Sequence, residues 1–217
     1  MDRRSYNQYC GLAKSLDVVG ERWTLLIVRN LLLGPLRYSE LLRGLPGITT
    51  NLLAKRLREM EALELIERVR ATAGDDRHAY RLTALGAGLE PAVHALASWG
   101  WRWMKEPKKG DVRSMEWLLV ALRRRYRGGK TLRAELVVDD VPYYVLLTKA
   151  TAEIGRGGVT SPDVRVRGGG PAAMRLFLEP LPRGRLPSGI EIEGTRDALR
   201  TLTSAFATGE PAPFIDL

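Results

Sequence analysis

The most restrictive feature of this sequence is the short connection Leu45-Pro46-Gly47-Ile48-Thr49, placed between two segments whose apolar residues recur at helical spacing. Proline and glycine end the segment before it, Tyr38 to Leu45, as a short helix. Thr49 or Thr50 then offers a side-chain oxygen to cap the segment after it, a helix running through about Leu63. A tight turn at that point is what a helix-turn-helix unit needs.

The flanking sequence extends the unit. Leu12, Leu16 and Val19 mark a first helix that stops at Gly20, and Trp23, Ile27 and Leu31 mark a second, stopped by Gly34-Pro35. After the fourth helix, Glu67 to Ala71 and His78 to Leu82 read as short strands around the polar tip Thr72 to Asp76, a β-hairpin. Thr83 opens a long final helix that carries Gly86 and Gly88 in its first turns, is bent by Pro91 and reaches Trp103. Helix, helix, short helix, longer helix, hairpin and helix is the order of a winged helix-turn-helix.

At 217 residues the chain has room for two domains, and 45% hydrophobic against 27% charged residues suffices to build their cores. The polar segment Lys105 to Asp111, with Pro107 and Gly110, separates a first domain over 1–106 from a second over 111–217. One Cys excludes an intramolecular disulfide, and with two His it leaves few ligands for zinc, so neither metal nor cofactor is expected. The best apolar stretch, Leu25 to Leu33, is broken by Arg29 and Asn30, and MDRRSYNQYC lacks the apolar core of a signal peptide. The expectation is a cytoplasmic protein with no membrane partner. Net charge is +9; residues 1–110 hold 18 Lys+Arg against 12 Asp+Glu, or +6, and residues 111–217 hold 16 against 13, or +3. That balance suits a polyanion such as nucleic acid, chiefly at the helix-turn-helix half.

The second half changes character. A helix from about Ser114 to Tyr126 precedes strand-like Thr131 to Val138 and Tyr143 to Thr148, separated by Asp139 to Pro142. Two related units follow: Val164, Val166 and Gly168 lead through Ala172 into a helix containing Leu176, and Ile190, Ile192 and Gly194 lead through Ala198 into one containing Leu202. Each pairs an alternating strand with a glycine turn and a helix. The chain as a whole is therefore α+β.

On the fourth helix Leu53, Leu57 and Met60 share one face, with Leu52 flanking, while Thr50, Asn51, Ala54, Lys55 and Arg58 lie opposite. Hydroxyl, amide and basic groups supply donors for base edges and phosphates, and small Ala54 permits close approach. The plain alternative is a solvated face of an amphipathic helix; the turn before it and the hairpin after it favour recognition. Thr49 belongs to the same set, and Arg77 places a cation near the hairpin tip, within reach of a minor groove or phosphate. Arg37 and Ser39 open the third helix, whose dipole favours a phosphate. Trp99 and Trp103 share a helix face, for core or dimer packing, with a ligand stack as the alternative. No Ser-His-Asp set, metal cluster or phosphate-binding glycine loop is discernible, so an enzyme is not expected; Gly168-Gly169-Gly170 follows a strand but lacks the dinucleotide fingerprint.

These residues carry a resemblance. Cys10, Ala13, Leu16-Asp17-Val18-Val19-Gly20 and Arg22-Trp23-Thr24-Leu25-Leu26-Ile27 open it, and Gly34-Pro35-Leu36-Arg37-Tyr38-Ser39-Glu40-Leu41 and Leu45 to Thr49 continue it. Leu53, Arg56-Leu57-Arg58-Glu59-Met60, Leu65-Ile66-Glu67-Arg68 and Tyr80-Arg81-Leu82-Thr83 with Leu85-Gly86 complete it. Over roughly residues 8–104 the chain resembles the HxlR family of bacterial winged-helix transcriptional regulators, relatives of MarR. The resemblance implies a homodimer on double-stranded palindromic operator DNA, with the fourth helix in the major groove. Gly11 stands where the family usually has Pro, and Glu64 where it usually has Gly. Cys10 matches the position that some members use as a thiol sensor of oxidants; its alternative role is an inert cysteine at the dimer face.

The second half resembles the sterol-carrier-protein fold, on the two strand-glycine-helix units Asp163 to Leu178 and Ile190 to Phe206, with Gly189 before the last strand. That implies an apolar tunnel between sheet and helices, used as an effector pocket or else as a plain dimerisation and packing unit. A helix rich in apolar residues beside a sheet could enclose a pocket lined by Trp117, Tyr143, Tyr144 and Phe177 for an apolar small-molecule effector. The resulting expectation is a transcriptional regulator whose DNA affinity an effector modulates. Its alternative is a hydrophobic-ligand carrier or interaction protein whose winged helix mediates protein contacts.

Overall fold

The helical periodicity of the first half becomes α1 (Gly11–Val19), α2 (Thr24–Leu31), α3 (Tyr38–Arg43) and α4 (Thr50–Ala62) in the computed structural model, which describes residues 5–70, 78–105, 108–178 and 186–206. The chain divides into two compact units, Met1–Ala95 and Leu96–Leu217. In the first, Ile27, Val28 and Leu31 of α2 close against Leu41 of α3 and against Leu53, Leu57 and Met60 of α4. Each of these side chains is essentially excluded from water, worth ~1.5–3 kcal/mol apiece.

The hairpin strands are β2 (Ile66–Arg70) and β3 (His78–Leu82), and a two-residue strand β1 (Leu36–Arg37) pairs antiparallel with β3, giving the order β1-β3-β2. The expected helix from Thr83 to Trp103 is two helices, α5 (Ala84–Ala87) and α6 (Glu90–Gly100), followed by a 3-10 turn over Trp101–Trp103. Gly88 caps α5, and Pro91 lies in the first turn of α6, where a missing N–H costs nothing. Proline therefore starts a helix here instead of bending one.

The second unit begins its α+β core with α7 (Met115–Arg125), capped by the Ser114 hydroxyl. The strands β4 (Leu132–Val138), β5 (Val141–Leu147), β6 (Ala152–Arg156), β7 (Val164–Gly168) and β8 (Ile190–Gly194) form one sheet in the order β6-β5-β4-β7-β8. Only β4 and β7 run parallel within it. Helix α8 (Gly170–Leu178) follows β7 and α9 (Arg196–Ser204) follows β8, so the two strand-glycine-helix units fold as neighbours through the β7–β8 pair. Val141 and Pro142, expected in the turn, belong to β5. The turn is Asp139-Asp140 alone, both with positive φ (48° and 63°), the backbone of a two-residue hairpin whose twist matches its strands.

Strand alternation sorts this sheet. Leu132, Ala134, Leu136, Tyr143, Val145, Leu147, Ile154, Val164 and Val166 are buried on one face. Phe206 lies beyond α9, and its ring meets Tyr126 at the end of α7 (6.0 Å) and Phe177 of α8 (6.1 Å), drawing the three helices together. Arg133, Glu135, Tyr144, Glu153, Arg165, Arg167, Glu191 and Glu193 take the opposite face.

The end of α4 shows one residue choice against its backbone. The Leu65 N–H donates to Met60 O and the Glu64 N–H to Glu61 O, both at 2.9 Å, which closes the helix with Glu64 left-handed at φ 55°. Glycine relieves that conformation, so Glu64→Gly is expected to raise stability by about 0.5–1 kcal/mol net of the freedom it adds to the unfolded chain. Gly86 is the contrasting case: a Cβ there would fall 1.9 Å from the Leu65 carbonyl oxygen, so Gly86→Ala should cost about 1–3 kcal/mol. Urea denaturation of both variants tests the pair, and a destabilised Glu64→Gly chain would refute the first expectation.

Candidate nucleic-acid interface

Three contacts fix the helix-turn-helix geometry. The buried Asn30 amide on α2 donates to Gly44 O at the end of α3 (2.9 Å), and the Tyr38 hydroxyl on α3 donates to Thr50 O at the start of α4 (2.7 Å). Between them Gly47 holds φ 89°, open to glycine, with the Trp23 ring against the turn. Thr49 is the N-cap of α4 and accepts the Leu52 N–H at 3.3 Å. Its hydroxyl is thus spent on the helix, although the residue is exposed.

The burial of Leu53, Leu57 and Met60 turns the other face of α4 outward. Thr50, Asn51, Lys55 and Arg58 are exposed, and Ala54 between them is half-buried. Lys55 lies 3.9 Å from Glu59, a loose surface pair worth little in water, so its ammonium is available to another anion. An amide, a hydroxyl and two cations on one exposed helical face can donate to base edges and phosphates together.

Arg56 goes the other way. Its side chain is only 9% exposed; it pairs with Glu59 at 2.5 Å and with Glu21, in the loop after α1. Sequence spacing places Arg56 beside Leu57 on the inward side, but nothing in the sequence names Glu21 as its partner.

Of the other expected contacts, Ser39 is exposed on α3 and Arg37 is half-buried just before it. The Arg37 N–H donates to Glu40 Oε2 (2.6 Å), so a carboxylate already occupies the N-terminus of α3 where a phosphate was expected. Arg77 and the hairpin tip lie outside the described residues. The stem carries Arg68 over the Tyr80 ring (5.7 Å) and 2.8 Å from Glu61, which holds its guanidinium pKa above the ordinary value, and Arg81 is 2.6 Å from Glu67.

The four candidate pocket residues do not come together. Tyr143 faces the helices and its hydroxyl donates to Glu116 of α7 (3.0 Å), whose other neighbour is Arg156 (2.7 Å); burial first, then the carboxylate, holds the phenol well above its ordinary pKa. Tyr144, next in the strand, points to the opposite face, donates to Glu153 (3.0 Å) and covers Gly155. The two therefore cannot line one cavity. Trp117 is half-buried on α7, and Phe177 is buried against Phe206. The Trp99 and Trp103 rings meet at 5.9 Å, tilted 54° to each other, but are exposed, not core.

The sequence model of the HxlR-like helix-turn-helix family matches residues 18–108. An uncharacterised HTH-type transcriptional regulator of Mycobacterium tuberculosis (strain CDC 1551 / Oshkosh) is 40% identical over 102 residues, 47% of this chain and 64% of the relative. The chain thus spans less than two thirds of that relative's length. The Bacillus subtilis (strain 168) regulator YkvN is 37% identical over 91 residues, covering 42% of this chain and 77% of its own. A MarR-family crystal structure from Porphyromonas gingivalis W83 is 29% identical, covers 47% of this chain and 100% of that one, and superposes with a TM-score of 0.42. These relatives are HTH-type transcriptional regulators, not enzymes.

Cys10 is exposed at the start of α1. No side-chain hydrogen bond caps the helix there, yet the amides of Ala13 and then Leu12 hold the thiol below its ordinary pKa. Alkylation by iodoacetamide should therefore reach its half-maximal rate at a lower pH in the folded chain than in the urea-unfolded one. Coincident pH profiles would remove the thiolate from consideration.

Proposed function

The chain belongs to the HxlR-like helix-turn-helix family, and on that premise we propose that it regulates transcription by binding a palindromic operator as a homodimer, with α4 in the major groove. The observation that carries this reading is the exposed row Thr50, Asn51, Lys55 and Arg58 on a helix locked by its other face. The two homodimer halves have apolar surface to share: Tyr9, Leu12 and Leu16 are exposed at and along α1, as are Leu96 and Trp99 along α6. Two copies related by a two-fold axis match a palindrome.

Asn51→Ala and Lys55→Ala are each expected to weaken operator binding with helix content and dimerisation unchanged. Asn51 acts on base preference, and loss of Lys55 flattens the salt dependence by about one charge. Fluorescence anisotropy on the palindromic sequence upstream of the chain's own gene is the measurement; unchanged affinity in both variants moves the contact off α4. Cys10 serves the same reading as an oxidant-sensitive switch. With one Cys per chain, any disulfide formed there is intermolecular, and the effect of diamide on DNA binding disappears in Cys10→Ser.

Residues 111–217 act as a separate sterol-carrier-like domain that takes an apolar effector on the helix-covered face, beside Trp117, Tyr143 and Phe177. What supports this is the alternation that leaves that face apolar while Glu116 and Arg156 supply a polar pair at its margin. An effector alters DNA affinity only if it prefers one arrangement of the dimer, for which ~1–3 kcal/mol is the usual coupling. The full-length protein should gain thermal stability with members of a panel of fatty acids, sterols and aromatic polyketides, and the gain should fall in Phe177→Ala. A melting temperature unmoved by every compound makes the second domain a packing or dimerisation module.

A further inference from the structure

We infer that the second unit carries its own phosphate-binding surface, built where the end of α7 meets the β5–β6 turn, and that its partner is the sugar-phosphate backbone of duplex DNA. The inference rests on the DNA-binding reading above but on different residues.

Between Glu116 and Glu135 the sequence has no carboxylate, yet it places Arg123, Arg124, Arg125, Arg127, Lys130 and Arg133 there. The structure divides that run. Arg125 is buried, and Arg133 reaches Thr160 O (2.7 Å), so neither is free to meet a partner. Arg127 and Lys130 are exposed, with Arg124 half-buried beside them. Lys149, exposed in the turn after β5, joins them from a distant part of the chain.

The gathering of these charges is built into the backbone. The Tyr126 hydroxyl, itself buried, lies 2.6 Å from Thr148 O and 2.8 Å from Lys130 O, and accepts the Lys130 N–H at 3.0 Å. The Gly129 N–H donates to Lys149 O (2.9 Å), and a Cβ on Gly128 would fall 2.5 Å from that same oxygen. Gly128 and Gly129 both hold positive φ, 87° and 83°, which lets the loop approach so closely. The result clamps the Lys130 and Lys149 backbones together, although like charges repel.

A helix C-terminus favours cations, which accounts for Arg123 to Arg125, and Arg127 Nη1 donates to Arg124 O there (3.0 Å). It does not account for Lys130 and Lys149, which lie off the helix. Two carboxylates of this unit are engaged by cations elsewhere: Glu116 by Arg156, with the Tyr143 hydroxyl, and Glu135 by Arg165, with the Val159 N–H. Among the described residues, none of the large exposed apolar side chains falls within residues 123–133 or 148–151, where a bilayer-binding surface would need one to insert. Exposed Arg and Lys side chains carried on a clamped backbone, with no large exposed apolar neighbour among the described residues, suit phosphates read without regard to sequence.

The test uses the full-length protein and a random-sequence duplex several helical turns long, with affinity followed by fluorescence anisotropy across a salt series. The triple variant Arg127→Ala, Lys130→Ala, Lys149→Ala should bind at least ~10-fold more weakly at low salt, with a log–log salt slope smaller in magnitude by about 2–3, near 0.9 per lost contact. Asn51→Ala should leave that slope in place. Arg127→Lys, Lys130→Arg, Lys149→Arg keeps the charges and should keep the slope, which separates charge from damage to the loop. A slope unchanged in the alanine triple but lowered by Lys55→Ala with Arg58→Ala would confine DNA to the first unit, overturning the surface and leaving the functional reading intact. Absence of duplex binding by the unmutated protein at every salt concentration overturns both. Sedimentation with phosphatidylserine vesicles that the alanine triple abolishes, beside an unchanged DNA slope, would make the surface a lipid site and also overturn the inference.

Discussion

Everything that α4 can do outside depends on what its other face is doing inside. Leu53, Leu57 and Met60 recur at four and three residues, so their burial fixes the rotation of the helix about its axis. Once that rotation is fixed, Asn51, Lys55 and Arg58 can point only outward. Rotation alone leaves the helix free to slide or tilt, and two polar clamps remove that freedom: Tyr38 to Thr50 O at its start, and Asn30 to Gly44 O at the turn before it. Both clamps are side chain to main chain, so they hold position without dictating which residues α4 displays.

The second unit obeys the same logic with a period of two. Its sheet has one apolar face because residues alternate, and the parallel β4–β7 pair at its centre requires a crossover from β6. That crossover is tied by charge on the polar face: Glu135 is buried beneath it, pairs with Arg165 and accepts the Val159 N–H at 3.0 Å, and the Arg133 N–H donates to Asp163 (2.8 Å). The Arg165 guanidinium, then the amide, hold the Glu135 carboxyl below its ordinary pKa against the opposing effect of burial. A depressed folded pKa means that this contribution is in place above the usual glutamate range and is lost as pH falls through the folded value.

Much of this was legible in the sequence, for a physical reason. Helix ends that rest on one residue's chemistry, such as the Thr49 cap, Gly20 and the Ser114 cap, fall where the residues predict, because capping is local. So do α4's two faces. Strand β1 was not legible, since two residues carry no period and exist as a strand only through β3. Neither was β6, whose inward positions are Ala152, Ile154 and Arg156, a pattern broken by the charge that Glu116 neutralises. The opposition of Tyr143 and Tyr144 follows from alternation alone, so the strand itself argues against the single pocket expected to contain both. The Asn30, Tyr38 and Arg56 contacts join residues far apart in sequence and needed coordinates.

The Arg56 cluster shows why such contacts are positional before they are stabilising. Its guanidinium is nearly enclosed and its Nε is left without a partner, whereas Glu21 is mostly exposed and Glu59 partly so. Desolvating the cation costs free energy that two solvent-exposed carboxylates only partly return. The same arrangement nevertheless ties α4 to the loop that ends α1, because Glu21 directly follows the Gly20 cap. A leucine at position 56 would lose both ion pairs and leave apolar packing, such as that of Val18 against the core, to hold α1 to α4. The buried arginine therefore sets where the helix beginning at Cys10 ends relative to the helix that displays Asn51, which is a constraint on geometry that an apolar contact of equal area does not impose.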